Sequence, residues 1–216
     1  KKYIDNAQIL MFSGGFSAGD EPDGSGKFIA NILTNDTVRA AVERFLQRDG
    51  LILGICNGFQ ALIKSGLLPD GKIGSVNADS PTLAKNNINR HISKIVTTRI
   101  TSNSSPWLAG TELGSLHKIA VSHGEGKFKL PYSEDKYNIV AKYAYEGYPA
   151  NPNGSDFNTA MMCDTTGRHL VMMPHIERST FPWNWAHYPE RGQKDEVSPW
   201  LEAFVNARKW IEMNKK

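Results

Sequence analysis

Two stretches of this 216-residue sequence hold side chains of the right type and spacing to act on a substrate. The first is Leu51-Ile52-Leu53-Gly54-Ile55-Cys56-Asn57-Gly58-Phe59-Gln60, an apolar run that breaks at a cysteine and continues with amphipathic spacing. A thiol placed there stands on a sharp turn between a strand and a helix. Gly54 and Gly58 leave no Cβ to block a substrate or a neighbouring backbone. The helix N-terminus would favour the thiolate, the reactive form of cysteine. A cysteine at a strand end is commonly a small buried apolar residue, but packing alone gives no reason to spend backbone entropy on glycine twice beside it. The second stretch is Met172-Met173-Pro174-His175-Ile176-Glu177-Arg178. Pro174 keeps its neighbour extended, and an extended His175 to Glu177 would project imidazole and carboxylate to one side. Such a carboxylate fixes the ring tautomer and stabilises the imidazolium, as a base for a thiol requires. A lone His-x-Glu is commonly a surface pair; the cysteine elbow gives this one a task.

Weaker signals surround these two. Ser13-Gly14-Gly15-Phe16 follows an apolar run and reads either as an ordinary turn or as half of an oxyanion hole, with N–H groups aimed at an anion. Val121-Ser122-His123-Gly124-Glu125-Gly126 and Tyr148-Pro149-Ala150-Asn151-Pro152-Asn153-Gly154-Ser155 each read, alone, as polar loops. Gly24-Ser25-Gly26-Lys27 lacks the first glycine and the Ser/Thr of a phosphate loop, and Asp20, Pro22 and Gly24 fail as a calcium loop. Asn153-Gly154-Ser155 is a glycosylation acceptor in form only, since no secretory signal is seen.

The elements that must position these residues are legible from apolar spacing. Ala7 to Phe12 reads as a strand. Asn35-Asp36 is a natural helix cap, with Val38, Ala41, Val42, Phe45 and Leu46 at helical spacing and Gly50 at the end. After the central strand and Cys56, a helix carries Phe59, Leu62 and Ile63 inward until Gly66 and Pro69. This alternation predicts an α/β fold with a mostly parallel sheet flanked by helices, and ligands at the carboxyl ends of its strands. The second half predicts short strands at His91 to Ile100, Lys118 to Val121, Tyr137 to Tyr145, Asn158 to Cys163 and His169 to Met173, with Asp164 to Arg168 as a hairpin loop. These are antiparallel additions to the sheet. A closing helix is capped by Ser198, starts at Pro199, and is expected to face Leu201, Phe204, Val205 and Ile211 inward. No repeat or linker divides the chain, so one domain is expected.

Composition excludes several functions. The 40% apolar content is enough for a full core, no stretch is long enough to span a membrane, and no signal peptide precedes the first strand, so a cytoplasmic protein is expected. Cys56 and Cys163 lie too far apart for metal spacing, which argues against a zinc site or disulfide framework. The net charge of +3 is scattered, without the basic run of a nucleic-acid groove.

Gly54 to Gln60, the upstream Gly14-Gly15-Phe16-Ser17-Ala18-Gly19-Asp20, the central His-Gly-Glu-Gly and Asn-Pro-Asn-Gly-Ser, and Met172 to Arg178 together resemble the glutaminase part of phosphoribosylformylglycinamidine synthases, class I glutamine amidotransferases with a flavodoxin-like fold. Phe181-Pro182-Trp183-Asn184-Trp185 and Ser198-Pro199-Trp200 resemble the large single-chain members, in which this is the C-terminal domain. The resemblance implies Cys56 as nucleophile, His175 as proton relay and Glu177 as its orienting acid. It implies an oxyanion hole near Gly15 and Asn57, and a glutamine site formed by Gln60, Ser122, His123 and Glu125. It implies no cofactor or metal in this domain, and ATP and magnesium in a synthetase domain that receives the ammonia.

The sequence departs from that family in having only Lys1 to Gln8 before the first strand and Ile176 where most relatives have proline. Two other readings fit the elbow. A cysteine α/β-hydrolase acting on an ester or lactone normally has its acid well before the histidine and leaves Gln60 without a task. A non-catalytic docking module would have no use for a reactive thiolate.

Overall fold

The computed structural model describes residues 2–16, 26–74, 76–185, 187–188 and 196–214. Most of the acidic, glycine-rich stretch from Asp20 to Gly26 therefore lies outside the described residues, as do Ser17 to Asp20 of the Gly-Gly-Phe motif. The first half runs α1 (Lys2–Asn6), β1 (Ile9–Phe12), α2 (Lys27–Thr34), α3 (Asp36–Gln47), β2 (Leu51–Ile55) and α4 (Asn57–Lys64). Helix α3 starts where the sequence predicts it, because the Asn35 side chain accepts the Thr37 N–H at 3.2 Å, and it buries Ala41, Val42 and Phe45. Every residue of β2 is buried. A strand covered on both faces reads as an unbroken apolar run. Helix α4 buries Asn57 to Ile63 and packs against α2.

The second half contributes β3 (Thr82–Lys85), β4 (Ile92–Ile100), β5 (Leu116–His123), β6 (Glu125–Lys129), β7 (Asn138–Tyr143), β8 (Thr159–Cys163), β9 (His169–Met172) and α5 (Leu201–Asn214). The main sheet has the order β1-β2-β9-β8-β7-β4-β5. Strands β1, β2 and β9 are parallel, and the pairs from β9 to β5 are antiparallel. This is the expected α/β plan, a parallel part backed by helices with antiparallel strands added. The balance differs: among the described residues four of the six pairings are antiparallel. Short connections such as the loop between β8 and β9 cannot make the crossover that a parallel pair needs.

The sheet curls so that β5, its last strand, comes back over the end of β9. The carbonyl of Lys118 accepts the Trp200 indole N–H at 2.7 Å, that of Ala120 accepts the His175 N–H at 2.7 Å, and the Cys56 sulfur lies 3.7 Å from that of Ser122. An edge strand is thus covered along its length. Strands β3 and β6 form a separate two-stranded sheet, fixed to α4 through the Phe59–Phe128 ring contact at 4.9 Å.

Two local expectations are corrected. Helix α5 buries Ala203, Asn206, Ala207 and Ile211, whereas Val205 is 40% exposed and Leu201 and Phe204 are half-buried. The small residues let the helix approach the Trp107 turn, where Phe204 meets the Trp107 ring edge-on at 6.4 Å. The segment from His175 to Glu177 is not extended throughout: His175 is, but Ile176–Arg178 forms a 3-10 turn because Ile176 turns into the core.

Candidate active site

Strand β2 ends at Cys56, which has φ 50° and ψ −108°, a backbone conformation that is costly for a residue with a Cβ. Hydrogen bonds on both sides hold it there. Its N–H donates to the Met172 carbonyl at 2.8 Å, and its carbonyl accepts from Gln60 N–H at 2.9 Å as the first turn of α4. Helix α4 begins hard against β1, so that a Cβ on Gly58 would lie 2.0 Å from the Phe12 carbonyl oxygen. This close approach explains the second glycine of the elbow. The first-turn N–H groups of a helix have no use within it and favour negative charge beside them.

The turn after β1 lies against the same thiol. A Cβ on Gly14 would stand 2.8 Å from His175 Cε1 and 3.3 Å from Cys56 Cβ. The carboxyl ends of β1, β2 and β9 therefore bring together Gly14, Cys56 and His175, residues distant in sequence. Gly15, next along, has φ 117° and is exposed.

His175 is positioned by its backbone and its ring separately. Its N–H donates to the Ala120 carbonyl, and its own carbonyl accepts from Ser179 Oγ at 3.1 Å. The ring Nδ1 is 2.6 Å from Glu177 Oε1. The imidazole is buried, 2% exposed, while the carboxylate that orients it is 40% exposed. Burial pulls the His175 pKa down, but the Cys56 thiol and the Glu177 carboxylate outweigh it and push the pKa up to about 9. The ring is consequently charged at neutral pH. It loses its proton, and with it the stability that this charge contributes, as pH rises from the unfolded value near 6.5 through about 9.

The opposite wall comes from β5 and β6. The Ser122 carbonyl faces the Cys56 sulfur, and Gln60 Nε2 donates to the Glu125 carbonyl at 2.5 Å. The Glu125 carboxylate pairs with Lys64 at 3.3 Å. His123 is buried with Nε2 3.1 Å from Asn153 Nδ2, and burial, then the charges of His175 and His91, bring its pKa down to about 3. Accepting from the Asn153 amide, Nε2 leaves the proton on Nδ1. Asn153 Nδ2 also reaches the Gly126 carbonyl at 2.8 Å, and its Oδ1 accepts from Ser155 Oγ at 2.7 Å. Tyr143 lies close enough for the Cys56 charge to act on it, after burial, in raising its pKa. Among the described residues no group of three or more His, Cys, Asp or Glu is placed to hold a metal ion.

A family model described as a CobB/CobQ-like glutamine amidotransferase domain matches residues 1–211. The chain is 36% identical over 214 residues to the PurQ subunit of phosphoribosylformylglycinamidine synthase from Dehalococcoides mccartyi, covering 94% of this chain and 79% of that one. It belongs to the glutamine amidotransferase family. It is also 33% identical over 230 residues to the probable chloroplastic/mitochondrial phosphoribosylformylglycinamidine synthase of Arabidopsis thaliana, covering 97% of this chain and 16% of that protein. The chain thus spans 16% of the length of such long relatives. The structure of PurLQS from Thermotoga maritima superposes with a TM-score of 0.71 at 25% identity, covering 96% of this chain and 81% of that one. A glutamine amidotransferase from the same organism, at 15% identity and TM-score 0.51 over 98% of this chain and 80% of that one, shares the fold.

Within this amidotransferase fold, the residues singled out from the sequence fall into two groups. Cys56, His175, Glu177 and the head of α4 at Asn57 converge, with Gly15 one residue beyond the contact made by Gly14. Gln60 and the Ser122 to Glu125 segment line the far side, but the His123 ring and the Glu125 carboxylate are already engaged by protein partners. Sequence reasoning missed His91, whose Nε2 lies 3.0 Å from Ser122 Oγ, and Asn86, which is 1% exposed and donates to the carbonyls of Arg90 and His123. The antiparallel register of β4 and β5 brings His91 to Ser122, and that of β3 and β6 brings Asn86 to the turn at His123 and Gly124, so no local spacing could reveal them.

Proposed function

We propose that the chain hydrolyses the side-chain amide of glutamine through a Cys56–His175–Glu177 triad and a γ-glutamyl thioester. It would supply the ammonia to an ATP-dependent synthetase component that makes formylglycinamidine ribonucleotide in de novo purine biosynthesis. The observation that carries this reading is the charged-ring geometry at the elbow. A buried imidazole, bonded to Glu177 at 2.6 Å and held protonated to about pH 9, stands beside a cysteine at a helix head. Cys56 sulfur adds to the amide carbon, and the oxyanion falls where the N–H groups near Gly15 and Asn57 can reach it. The C–N bond then breaks as the nitrogen takes the His175 proton and leaves as ammonia. Water, deprotonated by the ring, releases glutamate and restores the thiol. Gln60, Ser122, His123 and Glu125 would hold the amino-acid end of the substrate.

The synthetase component is part of this reading because relatives bear the synthase name and a matching structure is a PurLQS assembly. The chain would act as one domain, and ATP and magnesium would serve the synthetase reaction. The cytoplasm, as a reducing compartment, suits a nucleophilic thiol that must not be oxidised. The test is labelling of Cys56 by a glutamine-like electrophile, with ammonia release from glutamine and alcohol release from an activated ester measured in parallel. Release from glutamine, and protection of Cys56 by it, is expected; ester turnover without glutamine turnover would overturn the assignment.

A further inference from the structure

Ser122 presents two groups in two directions: its carbonyl faces the Cys56 sulfur at 3.7 Å, and its hydroxyl meets His91 Nε2 at 3.0 Å. His91 stands just before β4, and the loop that carries it is locked to the same turn of β5 by other bonds. Asn86 Nδ2 donates to the Arg90 carbonyl at 3.1 Å and to the His123 carbonyl at 2.8 Å, its N–H donates to the Gly124 carbonyl at 3.0 Å, and Asn89 N–H returns to the Asn86 carbonyl at 2.8 Å. None of these four bonds involves the imidazole. The loop is therefore held without it, and the ring, which is exposed, is not there to fill a core. Among the described residues its one hydrogen bond is to the Ser122 hydroxyl.

We propose that His91 is a positioning residue for glutamine: by holding Ser122 Oγ it sets the Ser122–His123 wall of the pocket and so governs capture of the substrate, while the triad stays competent without it. This rests on the glutaminase reading above. A catalytic part is excluded by the contacts, since His91 bonds Ser122, whereas the ring beside the thiol is His175, oriented by Glu177. His91 is among the groups that lower the pKa of buried His123, so the two imidazoles share one electrostatic neighbourhood. A wall residue that loses its one side-chain partner among the described residues gains freedom, and the cost falls on the bound state rather than on the reacting atoms.

The experiment compares His91→Ala, His91→Gln, Ser122→Ala and the double variant His91→Ala/Ser122→Ala, each assembled with the synthetase component. Steady-state ammonia release from glutamine is measured alongside the rate of Cys56 alkylation by iodoacetamide and the melting temperature. His91→Ala is expected to raise KM about fivefold, the scale of one neutral hydrogen bond, with kcat and alkylation within about twofold of the parent. His91→Gln, which keeps a polar atom at the Nε2 position, should recover most of the loss, and the double variant should be no worse than the more impaired single one. An unchanged KM in His91→Ala, a fall confined to kcat, or a melting-temperature loss that His91→Gln fails to repair would each overturn the proposal. A parent protein that releases no ammonia from glutamine would overturn the glutaminase reading and this proposal together, whereas an active parent with an indifferent His91→Ala overturns this proposal alone.

Discussion

The two ends of β9 each carry a histidine beside a carboxylate, and they differ in what the carboxylate is bound to. At the start of the strand, His169 Nδ1 lies 3.1 Å from Asp164 Oδ2 in a poorly aligned contact, with both side chains essentially fully buried. Asp164 is occupied by its own turn: it accepts Thr166 Oγ1 at 2.6 Å, Thr166 N–H at 3.1 Å and His169 N–H at 3.0 Å. Burial pushes its pKa up, but those donors and the His169 ring hold it down at about 2. The loop around Gly71 closes over it, so that a Cβ there would stand 2.7 Å from Asp164 Oδ2. Past the other end of the strand, Glu177 reaches solvent and bonds His175 at 2.6 Å, and the ring borders a thiol. A histidine–carboxylate pair is thus a hairpin lock in one place and, in the proposed mechanism, a proton relay in the other. A carboxylate with several backbone and hydroxyl donors is a structural anchor; Glu177, bonded to the His175 ring at 2.6 Å and only distantly paired with Arg178 at 4.0 Å, is freer to respond to the charge of the imidazole.

The largest expected effect is at the nucleophile. Cys56→Ala should lower glutamine-dependent synthesis by roughly 10⁴-fold or more, while synthesis from free ammonium, measured on the same preparation, stays largely intact. Equal loss of both in a folded variant would break the division between the two components. Next in size, Glu177→Gln should reduce kcat by about 10²-fold with little change in KM, because the carboxylate matters once the ring is charged. Asp164→Asn should do the reverse in kind. It should cost about 3 kcal/mol of stability, read by chemical denaturation, and leave kcat per folded molecule unchanged. Since the Asp164 pKa is depressed, the stability it contributes is present above the unfolded value near 4 and is lost as pH falls through about 2. A catalytic defect in Asp164→Asn, or a purely structural one in Glu177→Gln, would erase the distinction between the pairs. The smallest effect is expected at Gln60→Ala, a rise in KM of about tenfold with a modest change in kcat, checked by steady-state kinetics.

How much of this was legible in the sequence depended on whether the cause was local. Gly54 and Gly58 announced the elbow because close approaches, at Leu62 for the first and at Phe12 for the second, demand a missing Cβ at fixed offsets from Cys56. Glu177 was legible for the same reason, two residues from its histidine, even though the backbone between them turns rather than extends. Helix α2 was missed because its cap is Gly26, with φ 77° and no side-chain cap, behind a glycine-rich stretch. The β3–β6 sheet was missed because Thr82–Lys85 is only four residues long, and its partner lies some forty positions on. His91 and Asn86 stayed hidden because the registers of two different strand pairs, β4 with β5 and β3 with β6, bring them to the site. The Asn151 to Ser155 loop is a buried scaffold, since the Asn153 amide is consumed by His123 and Gly126 and that of Asn151 by Ser155 and Asn158.

The central claim is that His175 is held charged by a thiol and a carboxylate acting together. The direct measurement is a pH titration of the His175 ring resonances by NMR in the parent protein, in Cys56→Ala and in Glu177→Gln. The account predicts a pKa of about 9 in the parent, a lower value in each variant because each removes one of the two groups that raise it, and an alkaline limb of kcat that moves down with it in Glu177→Gln. A parent value near the ordinary 6.5, or one that neither variant lowers, would contradict it.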